Sequence, residues 1–198
     1  WTEEPNMINV KKVSDAGDWS ENYIVDLFDW HLKTIEQLDW FTGNAQWAFK
    51  DFGTPLRPEN SIPFVNQKGL TDMAGNPKDG YYVYKSYWTE NPKFCYIESH
   101  TWPERSGPAD AKKEVCVYSN CEKVELFING KSKGLKKRDI QKFPASGFQW
   151  FTNFVKGKNI IVARGFSNGE IVTSDTTDLI YHTSPADSPE DIKFSAKR

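Results

Sequence analysis

Three cysteines and eight tryptophans are the residues whose chemistry stands out first in this 198-residue sequence. Cys95, Cys116 and Cys121 fit no metal-binding spacing, and an odd number leaves at least one thiol unpaired. They are therefore expected as isolated buried thiols, with Cys116–Cys121 as the one bridge to consider. Aromatic residues make up 15 % of the chain. Tryptophan rings fill protein cores, and their faces also stack on sugar rings, so the enrichment serves either packing or carbohydrate contact. The 25 basic residues against 27 acidic ones leave no electrostatic footprint for nucleic acid. No apolar run approaches the roughly 20 residues that a membrane span requires. The chain opens at Trp1 with neither an initiator methionine nor a signal peptide, so sequence upstream is expected to have been removed and no compartment can be read.

The elements that would position such residues fall into two groups. Asp18-Trp19-Ser20-Glu21 has the form of a helix start, with Asp18 or Ser20 as cap and Glu21 at the positive end. Ile24, Leu27, Phe28, His31, Leu32, Ile35 and Leu38 then recur at helical spacing and predict one apolar stripe. After Gly43, residues 45–49 read as a short buried strand, and residues 50–66 as a long loop of the kind that usually carries function. Pro77-Lys78-Asp79 predicts the start of a second helix. From about Phe94 the pattern changes to alternation and turns. Strands are predicted over residues 115–118, 124–128, 148–155, 159–166 and 170–181. Asn129-Gly130 has the type I′ hairpin signature, and Gly157 and Asn168-Gly169 mark further turns. Many short strands at regular spacing predict a β-sandwich.

The expected fold is thus an α+β chain in two parts. Strand–helix units need neighbours on both sides, and two alone would leave strand edges and an apolar helix stripe uncovered.

Several stretches resemble glycoside hydrolase family 2. These are Asp18-Trp19-Ser20-Glu21-Asn22-Tyr23, Gly43-Asn44-Ala45-Gln46-Trp47-Ala48-Phe49-Lys50-Asp51-Phe52, Asn66-Gln67-Lys68-Gly69-Leu70 and Pro77-Lys78-Asp79-Gly80-Tyr81-Tyr82. The resemblance implies that residues 1–93 are the last two strand–helix units of a catalytic (β/α)8 barrel. Val117-Tyr118-Ser119-Asn120 and Val124-Glu125-Leu126-Phe127-Ile128-Asn129-Gly130-Lys131 are similar to the immunoglobulin-like domain that follows this barrel. That domain would span 94–183, with 184–198 as a tail or linker.

The family implies retaining hydrolysis of β-linked sugars, which uses two carboxylates about 5–5.5 Å apart, a nucleophile and an acid/base. Thr2-Glu3 resembles the family's nucleophile step, and the gap from Glu3 to Tyr23 suits its β-glucuronidase-like branch. Glu4-Pro5 departs from the aromatic and glycine usual there, so Glu4 and Asp15, in Ser14-Asp15-Ala16-Gly17, remain alternatives. The acid/base, normally an Asn-Glu step on the fourth strand, has no counterpart in this chain, which implies that it is inactive alone. By the same resemblance Trp47 ends the eighth strand and forms a wall of the sugar subsite, or simply packs the barrel. Asn66 and Lys68 match the Asn-x-Lys step that holds the uronate carboxylate in β-glucuronidases, where an ammonium and an amide make charge-assisted bonds. Arg57 is read as a solvated loop residue that could also face substrate.

These features lead first to a fragment of a β-galactosidase-like glycosidase, with a uronidase as the alternative. The competing reading of another class is a free-standing carbohydrate-binding module using Trp102 and Trp150. Expected partners are an oligo- or polysaccharide and the missing N-terminal part, with homo-oligomerisation as another way to cover the cut surface. No cofactor and no metal are expected. The family suggests a periplasmic or secreted location.

Overall fold

The computed structural model of the chain describes residues 21–58, 62–139 and 147–183. Glu3, Glu4 and Asp15, the expected caps Asp18 or Ser20, and residues 184–198 lie outside them.

Helix α1 (Glu21–Ile35) buries Val25, Phe28 and Leu32, one face at three- and four-residue spacing. It packs on helix α2 (Asp79–Trp88), where the Phe28 ring meets Tyr84 edge-on at 5.2 Å. Gly80 permits the close approach, because a Cβ there would stand 2.9 Å from Phe28 Cε2. The buried stripe is narrower than the predicted one: Leu27, Ile35 and Leu38 are half-buried and His31 is exposed. The reason is that α1 has one helical neighbour among the described residues, so only one side of its apolar surface finds a partner.

Residues 45–49 do not form the predicted buried strand. They run as irregular chain with bends at Trp47 and Phe49, whose side chains are 69 % and 65 % exposed. Backbone bonds from Ala48 N to Lys68 O, Leu70 N to Ala48 O and Thr71 N to Phe49 O tie the segment to residues 68–71 instead. The long loop after it contains a small antiparallel pair, β1 (Phe52–Gly53) with β2 (Val65–Asn66).

The second half is a β-sandwich. Its strands are β3 (Cys95–Ile97), β4 (Glu104–Gly107), β5 (Lys113–Ser119), β6 (Lys123–Ile128), β7 (Lys131–Lys137), β8 (Gly147–Thr152), β9 (Gly157–Ser167) and β10 (Glu170–Thr183). One sheet has the order β4-β10-β9-β6-β7 and the other β3-β5-β8. All neighbours pair antiparallel except β4 with β10. Asn129 and Gly130 have φ of 51° and 76°, the left-handed pair that the β6–β7 hairpin turn requires. Strand β7 carries no strand signal in the sequence, because its seven residues are all exposed and show no apolar alternation. Its lysines instead discourage pairing at the open edge of the sheet.

Alternation on β5 explains how the two halves join. Val115 and Val117 face Leu126, Ile128, Phe148, Trp150 and Ile161 inside the sandwich. Cys116 and Tyr118 point the other way and pack with Val25, Phe28, Leu32, Val83 and Tyr84 of the two helices. The three-stranded sheet is therefore covered on both faces, and a Val or Leu fully buried here contributes roughly 1.5–3 kcal/mol. Polar contacts lock the joint: Asp79 accepts bonds from Tyr96 Oη and from Ser99 N, the latter at 2.8 Å. Arg138 donates to Ser86 O at 2.8 Å. The Asn120 amide donates to the carbonyls of Thr89, Glu90 and Pro92.

The Cys116–Cys121 bridge is absent, since all three thiols are free. Cys116 lies on the helix side of its sheet. Trp150 is a core residue whose indole N–H is satisfied by Gly134 O at 3.1 Å, so it is no sugar platform.

Candidate functional site

The Asn66-Gln67-Lys68-Gly69 turn is held from beneath by a largely buried ion pair. Lys78, one residue before α2, places Nζ 2.9 Å from Asp51 Oδ1, 3.2 Å from Asp51 Oδ2 and 3.0 Å from Gln67 O. Asp51 Oδ1 also accepts the Gly69 N–H at 2.8 Å. The backbone on either side of Lys68 is thus gripped by one carboxylate–ammonium pair. Burial lowers the Lys78 pKa, and the hydrogen bond and charge of Asp51 act against that shift. Gly69 is obligatory for this closeness: a Cβ would stand 2.3 Å from Asp51 N and 2.6 Å from Asp51 Oδ1.

Above the pair, the turn offers donors. Asn66 Oδ1 accepts the Lys68 N–H at 3.2 Å, an Asx turn that orients the amide. The Lys68 side chain is exposed, whereas Asp51 is buried and Lys78 half-buried. Neutralised by Lys78, the Asp51 carboxylate does not cancel the positive charge of Lys68.

Trp47 is brought to the same place by backbone pairing. Its neighbour Ala48 bonds Lys68 O at 3.2 Å, and the Trp47 ring stands edge-on to Phe52 at 5.9 Å. Phe52 is the register partner of Asn66 in the β1–β2 pair. Gln46 carries the tryptophan from behind, donating to Trp47 O at 2.8 Å and accepting from Tyr84 Oη at 3.1 Å. The Trp47–Ala48 peptide is cis. Trp47, Asn66 and Lys68 therefore share one end of the first half. Arg57 lies further out in the β1–β2 loop, where its carbonyl accepts the Phe64 N–H at 2.8 Å.

Sequence reasoning missed Asp51, Lys78, Gln46 and Tyr84, the residues beneath the site. The Asp51–Gly69, Lys78–Asp51 and Tyr84–Gln46 bonds span 18, 27 and 38 positions, and no local pattern encodes them. Glu3, the expected nucleophile, lies outside the described residues. Among the described residues no group of three or more His, Cys, Asp or Glu side chains could hold a metal ion, and no helix is long and apolar enough to cross a membrane.

Residues 110–173 match a family described as "Domain of unknown function (DUF4982)". A Formosa agariphila protein named "Putative beta-glucuronidase" is 59 % identical over 91 % of this chain and 22 % of its own length. A Bacteroides ovatus β-galactosidase is 32 % identical over 71 % of the chain and 16 % of its own length. The crystal structure of a Parabacteroides merdae β-glucuronidase superposes with a TM-score of 0.81 at 48 % identity, covering 87 % of this chain and 22 % of that one. The chain thus spans about a fifth of the length of these relatives. Similarity across nearly the whole chain, in sequence and in fold, places it in the β-glucuronidase/β-galactosidase group of glycoside hydrolase family 2.

Proposed function

We propose that this chain is the C-terminal part of a retaining β-glucuronidase, and that Asn66 and Lys68 bind the carboxylate of the glucuronide. This exchanges the galactosidase reading for its alternative, because the relatives' names weigh that way. The observation that carries it is the architecture of the turn. With Asn66 Oδ1 engaged by Lys68 N, the amide presents its NH2 end, beside an exposed ammonium. Two donors, one of them charged, suit a carboxylate better than a neutral hydroxymethyl group. Trp47, more than half exposed on the same rim, offers an apolar face to the C–H side of the sugar ring.

Residues 1–93 supply the last two units of a (β/α)8 barrel in this reading, and residues 94–183 an immunoglobulin-like sandwich. Trp30, Trp40, Phe49 and Phe64 are each more than half exposed. They would be covered by the rest of the barrel, which would also bring the acid/base carboxylate. Glu3 supplies the nucleophile, and without the acid/base the chain alone does not turn over.

The test is the Lys68→Ala variant of the full-length enzyme on aryl β-glucuronide and aryl β-galactoside. A lost charge-assisted bond of about 1.5–3 kcal/mol lowers kcat/KM on the glucuronide roughly 10- to 150-fold. Any activity on the galactoside is unchanged. Equal losses on both substrates, or none on the glucuronide, remove the carboxylate assignment. Glu3→Gln abolishes turnover; retained activity discards Glu3.

The 32 % identical β-galactosidase keeps a galactoside in view as the second reading. Preference for aryl galactoside in the unaltered enzyme would favour it.

A further inference from the structure

Cys95 and Cys121 share one buried slot between the sheets. Cys95 opens β3, and its register partner on β5 is Ser119. Cys121 lies two residues beyond Ser119, in the connection to β6. Ser119 Oγ lies between them: it accepts the Cys121 N–H at 3.1 Å, donates to Phe94 O at 2.6 Å and is 3.5 Å from Cys95 Sγ. Both thiols point over Gly165 of β9. A Cβ on Gly165 would stand 2.6 Å from Cys121 Sγ and 2.7 Å from Cys95 Sγ, so the missing side chain is what makes room for the two sulfurs. Cys121 Sγ also lies 3.8 Å from Phe94 O. Cys116 lies across the sheet, facing the helices.

From this geometry we infer that Cys95 and Cys121 are a dithiol pair that closes to a disulfide by exchange with a small-molecule disulfide such as oxidised glutathione. Cys121 is the attacking sulfur. Neighbouring Cys95 and the charge of Lys93 favour its thiolate, and its pKa falls below the usual thiol value despite burial. Cys95, whose Sγ donates to Ser119 Oγ at 3.5 Å, has its pKa shifted upwards by Cys121 and by burial and keeps its proton until the second step. The Cys121 thiolate attacks one sulfur of the small disulfide, its S–S bond breaks, and one small thiolate leaves. Cys95 gives its proton to that thiolate and attacks Cys121 Sγ, and the second small thiolate departs and takes up the proton first lost by Cys121. Two protein thiols are oxidised to one disulfide, and one small disulfide is reduced to two small thiols.

The bond would join the first strand of the three-stranded sheet to the entry of β6 in the five-stranded sheet. Asn120, next to Cys121, already holds the carbonyls of Thr89, Glu90 and Pro92. Closure would therefore bolt the joint between α2 and the sandwich.

The experiment incubates the full-length protein with oxidised glutathione, with and without sub-denaturing urea to permit local opening, and then maps its peptides by mass spectrometry. The expected result is loss of both thiols as a Cys95–Cys121 cross-linked peptide about 2 Da lighter than the two reduced peptides, reversed by a dithiol reductant. Cys116 stays free, and Cys116→Ser changes nothing. A Cys121→Ser variant leaves Cys95 without a protein partner. No cross-link under either condition, a link that includes Cys116, or a glutathione adduct that persists on Cys121 would overturn the inference.

Discussion

Replacing Lys78 with methionine tests whether the turn at Asn66–Gly69 is held by the pair beneath it. The substitution keeps an unbranched apolar stem and deletes three contacts, two to Asp51 and one to Gln67 O. Asp51 is then left buried with the Gly69 N–H as its remaining donor in this cluster. Breaking a buried pair by removing one partner costs about 3–5 kcal/mol. The Lys78 side chain retains 12 % exposure, so water relieves part of the stranded charge and about 3 kcal/mol is expected. Against the 5–15 kcal/mol of a typical domain, the protein remains folded. Adding Asp51→Asn removes the stranded charge while its side-chain oxygen can still accept from Gly69, so most of the loss returns, leaving a net cost of about 1 kcal/mol. Urea unfolding of the four proteins, followed by tryptophan fluorescence, closes the double-mutant cycle with a coupling of roughly 2 kcal/mol or more. In the same series KM for aryl β-glucuronide rises in Lys78→Met more than kcat falls, because the flanks of Lys68 are loosened. Additivity within about 0.5 kcal/mol would refute the reasoning.

Gly69→Ala forces a Cβ to within 2.3 Å of Asp51 N, so the backbone must move; we expect a loss of about 1–3 kcal/mol in urea melts and weaker glucuronide binding. Trp47→Ala removes an exposed ring, so stability changes by less than about 0.5 kcal/mol while KM rises at least several-fold. A thermal midpoint that collapses would instead assign Trp47 to packing. Alkaline pH should destabilise the fold. Burial pushes the Tyr118 phenol well above its ordinary value of 10.0, and it raises Tyr82, Tyr84 and Tyr181 as well. Stabilisation from these four groups is complete below the unfolded-state value near pH 10 and is lost as pH rises through the folded values. Lys78 and Lys113, lowered by burial, act in the opposite sense but are fewer. Circular dichroism and phenolate absorbance should therefore change together above pH 10. Phenols ionising at their ordinary value in a still-folded protein would contradict the burial argument.

The sequence by itself determined that the chain changes from a first half containing two helices to an all-β second half, though the first half was expected as strand–helix units. It also located α2, the five longest apolar strands and the turns at Asn129-Gly130 and Asn168-Gly169. These are local signals: period-2 alternation, and positions where positive φ selects Asn and Gly. The Asn66-x-Lys68 step and Trp47 were legible for another reason, as residues of a resembling family standing in the right order. Tertiary structure decided the rest. Residues 45–49 have strand composition, yet no strand forms where partner strands are lacking among the described residues, and their apolar side chains face outwards. Cys116 and Cys121 are five apart in sequence, yet they lie on different sides of the sheet, because alternation along β5 sends Cys116 towards the helices. The supports of the site, Asp51 with Lys78 and Gln46 with Tyr84, are chosen by packing across 27 and 38 positions. A buried carboxylate finds its ammonium only where the folded chain brings both together largely out of water, and that condition is written in no short stretch of sequence.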